Sequence, residues 1–279
     1  MRQPLRPPFI DFGGEGPLLH FAHANAYPPR CYQQFLTPLT SRFHVMALEQ
    51  RPLWPHADPA GLTDWQLLAE DIIRLFDEQG WRGVIGVGHS MGAVVTMRAA
   101  VARPDLFRAL VLVEPVFLLP ALLEMAATHP DAAYQMPLVQ SALRRRRQFT
   151  SREYAFERWR SKPVFARWPD ASLWDYVNHA LAPDAKNGGF RLVYPREWEA
   201  QVYARPPQWV WEILPQVTQP TLGLRGAETD TIVPEAWQLW QTIQPQARFV
   251  ELADAGHMLL LERPSAAARL ILDYLRDAG

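Results

Sequence analysis

Short apolar runs alternate with longer amphipathic segments along most of the chain. The apolar runs have the length and composition of buried strands, which we predict over 17–22, 43–48, 84–87, 109–113, 221–224 and 248–252. The segments between them favour helices over 30–40, 63–79, 91–102, 234–244 and 264–277. Such alternation predicts an α/β fold, with a largely parallel sheet that is covered by helices on both faces.

The alternation stops between 116 and 215 and resumes at Pro220. This block has a helical pattern and is rich in arginine, proline and tryptophan. We therefore expect an α/β core formed by residues 1–115 and 216–279, with a helical cap inserted at 116–215. The aromatic side chains of the cap either dock it on the core or line an apolar pocket, and the two interpretations are compatible.

One short motif joins the predicted strand at 84–87 to the predicted helix at 91–102. It reads Gly88-His89-Ser90-Met91-Gly92, a G-x-S-x-G pattern at a strand-to-helix turn. In such a turn the serine lies at the tip with a strained backbone, and its hydroxyl projects away from the sheet. The positive end of the helix dipole points to the same place, which suits a developing oxyanion.

A serine hydroxyl becomes a useful nucleophile only beside a base that is itself oriented by an acid. His257, in a glycine-preceded loop after the last predicted strand, is the predicted base. Asp230 is our first choice for the acid, Glu228 is the second, and Glu114, which follows the strand at 109–113, is a third. The order Ser90, Asp230, His257 is the one expected for this turn on an α/β sheet.

With these motifs the chain resembles the α/β-hydrolase superfamily over nearly its full length. The resemblance rests on the segments Gly88–Gly92, Gly226–Pro234, Gly256-His257 and His23-Ala24-Asn25-Ala26. It implies the α/β-hydrolase fold, a mostly parallel central sheet flanked by helices with an inserted helical cap. It also implies that the backbone N–H groups of Asn25 and Met91 bind the oxyanion, and that His23 and His89 are structural.

The activity implied by the resemblance is that of a serine hydrolase without a cofactor. We expect it to cleave a small or medium apolar ester through an acyl-enzyme. Ser90 excludes the haloalkane dehalogenases and epoxide hydrolases, which use an aspartate at this turn. Two alternatives stay open: a C–C bond hydrolase of diketone-type ring-cleavage products, and a low-turnover ligand-binding protein with the same fold.

The composition of the chain limits the binding partners that we expect. The net charge of −1 creates no field that attracts nucleic acid or an anionic membrane, so we interpret the run Arg144–Arg147 as a solvated face of a cap helix. The single cysteine, Cys31, excludes an intramolecular disulfide. The sequence has no glycine-rich phosphate loop and no metal-ligand spacing, so we expect neither a cofactor nor a metal.

The N-terminal residues 1–8 carry charges and prolines but no apolar region of the kind found in signal peptides. Together with the lone cysteine, this predicts a cytoplasmic protein. We expect its partner to be a small-molecule substrate, without nucleic acid or membrane. The oligomeric state stays open at this point.

Overall fold

A seven-stranded sheet forms the centre of the molecule in the computed structural model, which describes residues 7–277. Its strands are β1 (Phe9–Gly13), β2 (Leu18–Ala22), β3 (His44–Leu48), β4 (Val84–His89), β5 (Phe107–Val113), β9 (Thr221–Gly226) and β10 (Arg248–Leu252). Their spatial order is β1-β3-β2-β4-β5-β9-β10, and every neighbouring pair except β1 and β3 is parallel. The predicted mostly parallel sheet is confirmed.

Helices connect the strands of the sheet. In chain order they are α1 (Gln33–Leu39), α2 (Gln66–Gln79), α3 (Met91–Ala102), α4 (Pro120–Thr128), α5 (Pro130–Ala133), α6 (Pro137–Leu143), α7 (Arg152–Arg160), α8 (Asp170–Ala180), α9 (Arg196–Ala204), α10 (Val210–Ile213), α11 (Pro234–Ile243), α12 (Leu259–Glu262) and α13 (Pro264–Asp277). Helix α3 packs directly on β2, β4 and β5. The helix α2 ends at Gly80, which adopts a left-handed conformation with φ +70°. Such a residue closes a helix without the steric penalty that a Cβ would bring.

Both faces of the sheet are buried, as strand β5 shows. Its residues alternate between two apolar clusters, with Val111 in the cluster that contains α1 and α13 and Leu112 in the cluster that contains α2 and α3. Because successive side chains of a strand point to opposite faces, a strand covered on both sides must be apolar throughout. This is why the central strands appear in the sequence as continuous apolar runs.

The chain leaves the sheet after β5 and returns at β9, which is its neighbour. We call the residues between them, 114–220, the inserted segment. It contains α4 to α10 and a second, antiparallel sheet formed by β6 (Gln148–Phe149), β7 (Leu181–Pro183) and β8 (Phe190–Leu192). The sequence pattern indicated only helices here, because strands of two or three residues are too short to produce a detectable alternation.

Tryptophans of the inserted segment attach it to the core. Trp198 is 1% exposed, and its indole N–H donates to the backbone oxygen of Ala57 at 3.3 Å. The indole N–H of Trp209 contacts both carboxylate oxygens of Asp64, at 2.9 and 3.0 Å. A large apolar ring that ends in a hydrogen-bond donor suits such a contact. These two indoles therefore fit the interpretation that the aromatic residues dock the segment on the core.

The strand β1 forms one edge of the sheet and pairs with β3 in the antiparallel sense.

Residues 1–6, which belong to the stretch that argued against a signal peptide, lie outside the described residues. No helix within 7–277 combines the length and apolar character needed to cross a membrane.

The close contact between α3 and β2 generates a stability prediction at Gly92. A Cβ added there would lie 2.0 Å from the backbone oxygen of Ala22, which cannot move without distorting β2. We expect Gly92→Ala to lower the free energy of unfolding by about 3 kcal/mol, since overpacking a rigid core has costs of this order. Gly61→Ala is the matched control, because an added Cβ there meets nothing within 4 Å. Equal urea midpoints for the two variants would contradict the prediction.

Candidate active site

Ser90 occupies the turn between β4 and α3. Its φ of +57° and ψ of −118° lie in a region that residues with a side chain rarely adopt. The turn is tight, since a Cβ at Gly88 would come within 2.4 Å of the backbone oxygen of Gly92. The strain is held by the packed strand and helix on either side, a pattern that accompanies functional positions. Ser90 is 7% exposed.

His257 lies in the loop between β10 and α12 and connects two side chains. Its Nε2 atom is 3.0 Å from the Oγ of Ser90, and its Nδ1 atom is 3.0 Å from the Oε2 of Glu114. A carboxylate accepts hydrogen bonds, so Nδ1 carries the proton in this arrangement. Nε2 is then the basic nitrogen and faces the serine hydroxyl, as proton removal from Ser90 requires.

Glu114 is the first residue after β5, with φ +50°, and it is fully buried. Its Oε1 accepts the backbone N–H of Gly226 at 2.7 Å. Its Oε2 accepts the hydroxyl of Thr229 at 2.6 Å as well as the ring N–H of His257. Three donors therefore compensate the carboxylate for the water that burial removes.

Asp230, our first choice for the acid, does not meet His257 in the structure. It is exposed, and Oγ1 of its neighbour Thr231 lies 3.4 Å from its Oδ1. The loop turns at Thr229, whose hydroxyl points inward to Glu114 and leaves the next side chain facing outward. The carboxylate that contacts His257 in the structure is therefore that of Glu114, our third choice, and not that of Asp230.

Glu228, the second choice, also faces away from His257. Its side chain is 49% exposed and pairs with Arg167 of the inserted segment. Its backbone N–H donates to the oxygen of Ala255 at 2.9 Å, which holds the loop after β9 against the loop of His257. Glu228 therefore fastens surface loops rather than orienting the histidine.

The sequence contained a signal for Glu114 that we ranked too low. A carboxylate directly follows Val113, the last residue of the apolar run 109–113 of β5, so it emerges where the sheet is buried on both faces. Ionisable residues are rarely buried without a partner. Strand β5 is also the neighbour of β4, so Glu114 emerges beside the strand that carries Ser90.

The two backbone donors expected for an oxyanion lie at the ends of β4 and β2. Met91 is the first residue of α3, where backbone N–H groups lack an intrahelical acceptor. Within residues 7–277, the N–H groups of Met91 and Asn25 form no hydrogen bond to the protein. The packing of Gly92 against Ala22 brings the start of α3 next to the end of β2.

The side chain of Asn25 is held by the inserted segment. Its Nδ2 donates to the backbone oxygen of Glu199 at 3.1 Å, and its Oδ1 accepts the hydroxyl of Tyr194 at 2.8 Å. The following residue, Ala26, has φ +69° in a turn closed by the N–H of Tyr27. The amide side chain thus anchors the loop, while the backbone N–H of Asn25 is left for another partner.

A chain of hydrogen bonds links this loop to the loop of His257. The N–H of Ala24 contacts the hydroxyl of Tyr32 at 3.4 Å, and this hydroxyl lies 2.8 Å from Nδ1 of His89. The Nε2 of His89 lies 2.9 Å from the backbone oxygen of His257. Burial, reinforced by His257, lowers the pKa of His89 to about 3, so its ring is neutral and donates from Nε2 only.

No group of three His, Cys, Asp or Glu side chains in the described part of the chain is arranged to hold a metal ion. Cys31 is buried in the core, and burial raises the pKa of its thiol well above the ordinary value. A buried neutral thiol is a weak nucleophile. Ser90, whose Oγ faces the ring of His257, is therefore the candidate nucleophile.

The position of Glu114 generates a prediction for serine reactivity. We expect Glu114→Gln to lower the second-order rate of Ser90 labelling by a fluorophosphonate by about 10²- to 10⁴-fold, because an amide no longer stabilises the charged imidazole. Asp230→Asn and Glu228→Gln are the matched controls and should change it less than about twofold. A larger loss for Asp230→Asn than for Glu114→Gln would refute the assignment. Thermal unfolding checks that each variant is folded.

Buried histidines generate a prediction for acid stability. Burial lowers the pKa of His20 to about 3, of His23 to about 4 and of His89 to about 3. The unfolded chain takes up these protons near pH 6.5 and the folded chain does not, so stability is lost as the pH falls below that value. We expect a loss of about 1 kcal/mol per histidine between pH 7 and 5.5 in urea unfolding. A constant or rising stability over this interval would contradict the prediction.

Comparison with known proteins identifies the family of the chain. The model of the alpha/beta hydrolase family matches residues 21–270. The chain is 27% identical over 227 residues to the abhydrolase domain-containing protein ACTT2 of Alternaria alternata, a match that covers 69% of this chain and 82% of that protein.

Solved structures show the same fold. The structure of E-2-(acetamidomethylene)succinate hydrolase superposes with a TM-score of 0.79 at 20% identity, covering 96% of this chain and 94% of that one. The thioesterase domain from the curacin biosynthetic pathway superposes with a TM-score of 0.75 at 22% identity, covering 95% and 94%. The chain therefore belongs to the α/β-hydrolase family and has its fold.

Proposed function

We propose that this α/β hydrolase is a serine hydrolase that cleaves an acyl ester through a covalent acyl-enzyme. The observation that carries the proposal is the unbroken contact from the Oγ of Ser90 through the ring of His257 to the buried Glu114, with both distances at 3.0 Å. Such a chain of nucleophile, base and orienting acid activates a serine hydroxyl.

In the proposed reaction, His257 Nε2 removes the proton of Ser90 as Oγ attacks the carbonyl carbon. Glu114 keeps the imidazole in the tautomer with Nδ1 protonated and stabilises its positive charge. The imidazolium then protonates the leaving group, and the bond to it breaks. Water, deprotonated by the same nitrogen, attacks the acyl-enzyme and releases the acid.

The backbone N–H groups of Asn25 and Met91 are the proposed donors to the oxyanion. Both are without a protein acceptor among the described residues, and the N–H of Met91 stands at the start of α3, where the helix dipole favours negative charge. Donors that are fixed before the reaction stabilise the charge that develops on the carbonyl oxygen. The strained turn at Ser90 places its own Oγ beside this helix end.

The acyl portion of the substrate is proposed to be small or medium in size and apolar. The inserted segment is proposed to act as a cap over this site, since it both holds Asn25 and docks on the core. We expect a small-molecule substrate and a cytoplasmic location, in keeping with the single buried cysteine.

Removing the nucleophile tests the proposal. We expect Ser90→Ala to reduce kcat/KM for p-nitrophenyl butyrate by at least about 10³-fold, because loss of the nucleophile removes the acyl-enzyme route. Ser265→Ala is the matched control, as Ser265 is an exposed residue of α13. Turnover by Ser90→Ala equal to that of the unmodified protein would overturn the mechanism.

The same experiment separates an enzyme from a binding protein with this fold. Fluorophosphonate should label Ser90 in the folded chain, and peptide mass spectrometry should locate the adduct at that residue. A folded protein that neither labels nor hydrolyses the ester would favour ligand binding without turnover. Hydrolysis of a diketone without hydrolysis of any ester would instead favour C–C bond cleavage.

A further inference from the structure

The inserted segment forms a half-open cavity of about 1080 Å³ whose lining is strongly cationic. All of its lining residues except Tyr27 belong to the inserted segment. We call it the arginine cleft and define it by its eight cationic side chains, Arg144, Arg145, Arg146, Arg147, Arg158, Lys162, Arg191 and Arg196. The run Arg144–Arg147, predicted to be a solvated helix face, in fact follows α6 and borders this cavity.

Three of these cations are neutralised by neighbouring carboxylates. Arg145 pairs with Glu199 at 2.6 Å, while Arg147 and Arg196 share Glu197 at 3.7 and 3.1 Å. Asp184 is the third acidic side chain of the lining. Its carboxylate accepts hydrogen bonds from N–H groups of its own loop and from the side chain of Gln148.

Five cations of the cleft have no carboxylate partner among the described residues. They are Arg144, Arg146, Arg158, Lys162 and Arg191. Like charges that share one cavity repel each other, and the repulsion is relieved when an anion enters. Within the described part of the chain, unpaired arginines outside the cleft, such as Arg42 and Arg108, do not share a cavity with one another. The cleft is thus suited to a ligand with several negative charges.

The floor of the cleft touches the loop that carries the proposed oxyanion donor. Tyr194 and Glu199 line the cleft, and both hold the side chain of Asn25. Arg145 donates to Glu199 and to the hydroxyl of Tyr176 beneath the floor. Burial alone would lower the pKa of Arg145, but Tyr176, Glu199 and Tyr27 raise it above its ordinary value, so the cation is permanent.

The lining of the cleft does not include the proposed nucleophile and base. Neither Ser90 nor His257 belongs to its lining within the described part of the chain. An anion bound by the five unpaired cations is therefore separated from the bond that is cleaved, and a connecting arm must join the two. Guanidinium groups match phosphate oxygens with paired hydrogen bonds, and a cavity of this volume exceeds what one carboxylate needs.

Building on the proposed serine hydrolase function, we propose that the substrate is an acyl thioester whose leaving group carries several phosphates on an extended arm. Coenzyme A is a thiol with this chemistry, and its thioesters serve as the test substrates. The acyl carbon lies at Ser90, and the phosphates occupy the arginine cleft. Ser90 Oγ forms the bond to the acyl carbon, the C–S bond breaks, and the thiolate receives its proton from His257. Water then releases the carboxylic acid, and no other reactant is required.

The test compares two butyryl thioesters that differ in their phosphates. We expect kcat/KM for butyryl-CoA to exceed that for S-butyryl-N-acetylcysteamine by at least about tenfold, and the excess to shrink as NaCl is added. The triple variant Arg146→Gln, Arg158→Gln, Arg191→Gln should lower this ratio by about tenfold or more.

A matched triple variant controls for lost charge. Arg42→Gln, Arg108→Gln, Arg269→Gln removes three exposed arginines that lie outside the cleft and pair with no described carboxylate, and it should leave the ratio unchanged. An equal fall in both triple variants, or no preference for butyryl-CoA in the unmodified protein, would overturn the proposal. The proposal would also be overturned if the cleft variant kept its preference for butyryl-CoA but lost turnover of monoethyl succinate, an ester with a single carboxylate.

Two further measurements separate this proposal from the proposed function. Calorimetric binding of butyryl-CoA to Ser90→Ala needs no turnover, and the cleft variant should weaken it by about tenfold or more. Labelling of Ser90 together with failure of this binding would overturn the cleft assignment alone. Binding that depends on the cleft arginines, without labelling of Ser90, would support the cleft and overturn the serine hydrolase mechanism.

Discussion

The carboxylate of Glu114 is the point at which the loops after three strands are joined. Glu114 follows β5, and its Oε1 accepts a hydrogen bond from the N–H of Gly226 at the end of β9. Its Oε2 accepts a hydrogen bond from the ring N–H of His257, which follows β10. Because Glu114 is buried, loss of any one of these donors would leave part of the carboxylate charge uncompensated. The contacts therefore depend on one another. The position of the proposed base is thus set by the sheet itself rather than by its loop.

A second set of contacts extends this order to the other side of Ser90. Tyr32 and His89 connect the backbone of Ala24 to the backbone of His257. Because His89 precedes Ser90 and is buried, the nucleophile lies between two loops that are fastened to each other. This arrangement limits independent movement of the proposed oxyanion donors and the proposed base, which is what electrostatic preorganisation requires.

Local signals in the sequence were sufficient for most of the sheet and for two residues of the candidate site. The strands are buried on both faces, so their apolar runs are visible without knowledge of the fold, and Ser90 is marked by its own turn. His257 is identified by its position in the loop after the last strand. These features depend on residues that are close together in the chain, which is why pattern and turn chemistry reveal them.

The remaining features depend on contacts between distant residues. Whether Glu114 or Asp230 faces His257 is decided by the turn at Thr229, where one hydroxyl points inward and the next side chain points out. Likewise, the surroundings of Arg144–Arg147 are set by β8 and α9, which come 40 residues or more later in the chain. A single sequence shows the charges but not which carboxylates reach them.

The attachment of Asn25 to the inserted segment has a consequence for how this architecture can change. The amide of Asn25 belongs to the core, yet both of its partners, Tyr194 and Glu199, belong to the insertion. Core and insertion are therefore not interchangeable modules, and a graft of a different insertion onto this core would also disturb the loop of Asn25. Side chains of the insertion that do not touch Asn25, such as the exposed arginines of its cleft, can change without disturbing that loop.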